Sequence, residues 1–126
     1  FSMENYGLAT FIVYWGVGTT GTATLTIEAC DDFTPSTTVA KAFNYKRITS
    51  PDTQAALTAA TSSGFTTTAG SNQIYMLQIE SAALGSDGPN VRLQATEVAN
   101  DPVLGGVLVV LSEPRYAEDQ TVVATS

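Results

Sequence analysis

The sequence predicts an all-β fold, an antiparallel β-sandwich of jelly-roll-like type with at most one short helix, and three observations carry that expectation. Strict two-residue alternation of apolar and polar side chains recurs along the chain. Clusters of Gly, Pro, Asn and Asp interrupt it at regular spacing, as in sandwiches and barrels. Threonine, which is β-branched and suited to a pleated surface, stands where charged residues would usually be. Only 13% of residues are charged, about half the usual share of roughly 25%.

The first expected strand, residues 10–17, is rich in aromatic and branched side chains. Residues 22–29 alternate without a fault: Ala23, Leu25, Ile27 and Ala29 take one side, three threonines and Glu28 the other. The intervening Gly18-Thr19-Thr20-Gly21 predicts a hairpin. A turn over residues 31–36 leads to a strand over 39–49, with Phe43 and Tyr45 on one face and Asn44 and Lys46 on the other. Residues 53–61 suggest one or two helical turns, because Ala56, Leu57 and Ala60 form a short apolar stripe. Residues 64–68 and 73–80 read as strands, the second pointing Tyr75, Leu77 and Ile79 inward. Residues 91–96 place Val91, Leu93 and Ala95 inward, and the nearly continuous apolar run 106–112 reads as a central or doubly covered strand. The expected organisation is one sandwich domain over 1–116 and an extended arm over 117–126. Its core is expected to hold Ala23, Leu25, Ile27, Tyr75, Leu77, Ile79, Val91 and Leu93.

Charge and residue types bear on function. Five basic residues against twelve acidic give a net charge of −7. The closest basic pair, Lys46-Arg47, lacks reinforcement, so direct binding to nucleic acid or an anionic membrane is not expected. No histidine is present, which removes the usual general base, the serine and cysteine triads and the commonest metal ligand. Cys30, the single cysteine, reads as an inert thiol, partly exposed by its place on the threonine face. Asp31 and Asp32 suit a solvated turn better than a calcium loop or a glycosidase pair. No catalytic residue, metal or cofactor is therefore expected, and the chain reads as a binding or building protein and not an enzyme. Trp15, Tyr14 and Phe11 suit a core cluster better than a sugar-stacking platform. Arg92 and Arg115 are scarce cations, each either an interface anchor or a tie to a local carboxylate.

An ordered set of short motifs runs through the chain: Glu4-Asn5-Tyr6-Gly7, Ala9-Thr10-Phe11, Trp15-Gly16-Val17, Asp31-Asp32, Gly70-Ser71-Asn72-Gln73, Val91-Arg92-Leu93-Gln94 and Pro114-Arg115-Tyr116. In this set the chain resembles small head proteins of tailed phages and prophages, of the capsid cement or decoration type. The resemblance implies a jelly-roll-like sandwich that forms a dimer or trimer, binds the major capsid protein and sits on the outer surface of the head. It brings no catalytic residues. A carbohydrate-binding or adhesin-like module using Trp15 and nearby tyrosines is the alternative. Residues ahead of Tyr6 and after Tyr116 carry too little apolar surface for core elements. Thr121, Val122 and Val123 form a β-prone stretch suited to pairing with a neighbouring chain, which makes them candidate interface residues beside Arg92 and Arg115.

Overall fold

A computed structural model describes residues 1–49 and 53–115. Among these residues the chain forms ten strands: β1 (Tyr6–Trp15), β2 (Thr22–Cys30), β3 (Thr38–Lys41), β4 (Phe43–Thr49), β5 (Thr53–Gln54), β6 (Thr58–Ala60), β7 (Phe65–Thr66), β8 (Gln73–Glu80), β9 (Asn90–Ala99) and β10 (Gly105–Pro114). They build two antiparallel sheets packed face to face, the expected all-β sandwich. The larger runs β10-β1-β8-β4, with β5 and β6 sharing the far side of β4. The smaller has β9 along one side of β2, with β3 and β7 sharing the other. The chain repeatedly crosses from one sheet to the other, so neighbouring strands in a sheet are often distant in sequence.

Alternation sets which residues meet between the sheets. Ala9, Phe11 and Val13 of β1, Tyr75, Leu77 and Ile79 of β8, and Ala23, Leu25, Ile27 and Ala29 of β2 are all buried. An aromatic group closes the far side: Phe65 of β7 stacks on Tyr45 of β4 with ring centroids 3.8 Å apart and lies 5.4 Å from Tyr75. The Tyr75 hydroxyl accepts from the Thr68 amide at 2.8 Å and donates to Gln73 Oε1 at 2.7 Å, so its buried polar end is satisfied. Val91 is buried, and Leu93 is half-buried against the core.

Several expectations are corrected. Residues 18–21 do not close a hairpin, because β1 and β2 lie in different sheets. The Gly-Thr turn composition is equally compatible with a connection that crosses the sandwich. Residues 39–49 split at Ala42 into β3 and β4, one in each sheet. Residues 53–61 hold strands instead of helical turns: β5 and β6 flank β4, and the Ala55 amide bonds the Arg47 carbonyl at 2.9 Å. Edge pairing supplies the backbone partners that a lone helical turn lacks. The helical element that does form is a 3-10 turn at Ser81–Leu84.

Ahead of β1, Met3 also belongs to the core. Met3 is 1% exposed, and its amide bonds the Pro89 carbonyl at 2.8 Å while Phe1 accepts from the Val91 amide at 2.8 Å. Cys30 is 2% exposed rather than partly open, because the alternation of β2 breaks at its last residue, where Ala29 and Cys30 are both covered. Burial pushes its thiol pKa up. The arm 117–126, with Thr121, Val122 and Val123, lies outside the described residues.

Candidate interaction surface

The two sheets carry opposite kinds of side chain on their outer faces. Residues directly paired across antiparallel strands share a face, so the register reads these surfaces row by row. On the small sheet, Arg92 pairs with Glu28, Gln94 with Thr26, and Thr96 with Thr24, which also meets Thr66 of β7. That face is threonine and paired charge. On the large sheet, one row holds Leu108, Ile12, Met76 and Lys46. A second holds Val110, Thr10, Gln78 and Asn44, and a third Gly106, Tyr14, Ile74 and Ile48. Leu108 is 60% exposed and Val110 43%, with Ile12, Met76, Ile74 and Ile48 half-exposed beside them. Across these rows Lys46 is the one charged side chain, and Glu80 lies beyond them, opposite Leu8.

This face owes its character to strands that are apolar on both sides. β1 and β10 are nearly continuous apolar runs, and β8 places Ile74 and Met76 opposite its inward Tyr75 and Leu77. The sequence expectation for residues 106–112, a central or doubly covered strand, is therefore corrected. β10 is the edge strand of the large sheet, bonded only to β1 among the described residues. An apolar run signals two apolar faces without saying what covers the second, and here the fold covers neither completely. Ala95 is likewise corrected: it lies on the inner side of β9, opposite Leu25, yet is exposed. It sits where the two sheets part.

That opening is an apolar cleft of about 260 Å³ between β9 and β10, lined by Val13, Trp15, Leu93, Ala95, Val103 and Val107 among others. Val107 is 57% exposed although it shares the inner face with Val13.

The candidate cations are separated. Arg92 donates through Nε to Glu28 Oε2 at 2.6 Å on the threonine face. Arg115 follows β10, donating through Nη2 to Ser81 Oγ at 2.8 Å beside a groove formed with Met3, Glu4 and Pro89. Asp31 accepts from Ser36 Oγ at 3.3 Å and Asp32 from the Phe33 amide, both within an exposed turn. Tyr14 and Trp15 point to opposite faces of β1. Tyr14 donates to Asn72 Oδ1 at 3.0 Å, and Trp15 packs on the core with Nε1 donating to the Gly21 carbonyl at 3.3 Å. The two rings do not form one platform.

No protein-family model, curated protein or solved structure matches the chain. The surface must be read from its own chemistry. A largely apolar sheet face with one charge fits a protein surface of like character, where exclusion of its apolar side chains from water is favourable. It offers phosphate a single cation, Lys46.

Proposed function

We propose that this chain is a virion structural protein of the capsid cement type, which docks the outer face of its large sheet on the major capsid lattice. On this reading it is a binding component, not an enzyme, requires no cofactor and works on the outside of the head. The supporting observation is the contrast between the sheets. Leu108, Val110, Ile12, Ile74, Met76 and Ile48 face outward from one, while threonines and the Arg92–Glu28 pair coat the other. A protein bound to a shell needs one face to meet it and one to meet water. The resemblance of its motifs to phage head proteins supplies the partner.

Co-sedimentation with head shells tests this, using shells of the major capsid protein encoded alongside it. The wild-type chain is expected to pellet with shells and stay in solution without them. The double substitution Ile74→Lys and Met76→Lys adds charge to the centre of the face and should abolish pelleting while leaving the far-UV spectrum unchanged. A wild-type chain that ignores shells, or a folded double variant that still binds, refutes the reading.

A further inference from the structure

We propose that two copies of this chain join edge to edge along β10, each closing the open side of the other's sandwich. The inner side of this seam, Val107 and the cleft, lies off the sheet face assigned to the lattice and meets it only at Leu108 and Val110, so Val107→Lys tests this assignment apart from that one.

Among the described residues β10 bonds β1 on one side and has no strand partner on the other. An edge of this kind is a template for a further strand, and proteins blunt it with charge, proline, bulges or brevity. None of these is present over residues 105–112. The strand is ten residues long, pairs with β1 without a register shift, and meets its first charge at Glu113 and its first proline at Pro114. Its side chains are open on both faces, Leu108 outward and Val107 at the cleft. Across the cleft, β9 is the corresponding edge of the small sheet among the described residues, with Ala95 exposed on its inner side. Both sheets thus stop on the same side of the sandwich before their inner residues are covered.

Charge selects the occupant. At a net charge of −7 two copies repel, so self-contact is favourable only where the touching surface carries no charge. Residues 105–112 contain no ionisable side chain, and no carboxylate, ammonium or guanidinium lines the cleft. Symmetry also fits. Antiparallel pairing of β10 with itself about a twofold axis normal to the sheet keeps inner residues on the inner side. With Leu108 on the axis, Val107 of each copy lies across from Val109 of the other, and the two clefts meet as one core. Such a contact is closed and stops at two copies, so the uncharged edge does not propagate into fibres.

Sedimentation equilibrium of the full chain at micromolar concentration is expected to give twice the 13.2 kDa of one chain. Val107→Lys points a charge into the seam and brings two ammonium groups together about the axis, which should weaken self-association at least about tenfold. Leu108→Glu, on the other face of the same edge, should do the same, and it serves as the reading if Val107→Lys does not fold. Amide exchange along β10 should quicken in either variant. The lattice variant Ile74→Lys with Met76→Lys should remain dimeric. A wild-type chain that is monomeric throughout overturns the proposal, as does a dimer indifferent to both edge substitutions. A monomer that dimerises once residues 116–126 are removed assigns the edge to the chain's own terminal segment and overturns it equally.

Discussion

Single residues hold this fold in three different ways. Leu25 and Leu77 are fully buried, from facing sheets. Truncating either to Ala removes buried methyl groups and leaves a cavity that a sheet cannot easily collapse, so each should cost about 2–5 kcal/mol in a denaturant titration. Gly64 works through its backbone: its φ is +72°, and a Cβ there would run into the Leu25 carbonyl. Asp101 works through polar contacts, gathering the loops at one end of the sandwich. Its Oδ2 accepts from Thr20 Oγ1 at 2.8 Å, Thr19 Oγ1 at 2.9 Å and the Thr20 amide at 3.1 Å. The Thr20 hydroxyl, then the Thr20 amide and the Thr19 hydroxyl, hold the carboxyl below the ordinary aspartate range. A pKa lowered on folding stabilises the fold above the unfolded value of about 3.9, and that contribution disappears as pH falls through the folded value. The melting-temperature gap between wild type and Asp101→Asn should therefore be constant from neutral pH down to that range and close below it. A gap that widens in acid would show that another group controls the loop.

At the scale of elements, legibility followed the cause of each strand. β2 and β8 were readable because their alternation is the direct imprint of one buried face. Seven of the eight expected core residues are buried and Leu93 is half-buried, since within a regular strand face assignment follows from period alone. Pairing was less readable. Whether β1 turns back on β2 or crosses to the other sheet depends on partners far along the chain, β8 and β10, which no local turn encodes. β5 and β6 form because β4 offers them an edge, a tertiary effect that overrides a weak helical stripe. The burial of Met3 was hidden for the same reason, since its site exists only once β9 and the 3-10 turn are in place. Met3→Ala should cost about 2–5 kcal/mol, as for other buried large side chains, and thermal melting checks this directly. A change near zero would mean that residues 1–3 lie on the fold without supporting it.

For the whole molecule, the legible part of the candidate site was its residue types and the hidden part was their arrangement. The scarcity of basic residues argued against nucleic acid, and the threonine-rich strands form the polar outside of the small sheet. The apolar face comes instead from the second sides of β1, β8 and β10. Position then separates two accounts of how the protein would hold a partner. If Arg92 and Arg115 are the anchors, attraction is electrostatic and added salt weakens it through screening, over a Debye length of about 8 Å at physiological ionic strength. Each arginine already has a local partner, Glu28 and Ser81 respectively, and they lie on different parts of the surface. If the large sheet carries the contact, binding removes apolar surface from water. Salt then changes the affinity little, and the heat capacity falls on association. Calorimetric titration of shells with the full chain, repeated over several temperatures and at low and high salt, should give a negative heat-capacity change and nearly unchanged affinity. Arg92→Ala should leave both intact, because the side chain lies on the face turned away from the shell. A steep loss of affinity with salt, or a large loss in Arg92→Ala, would move the proposed docking surface to the threonine face.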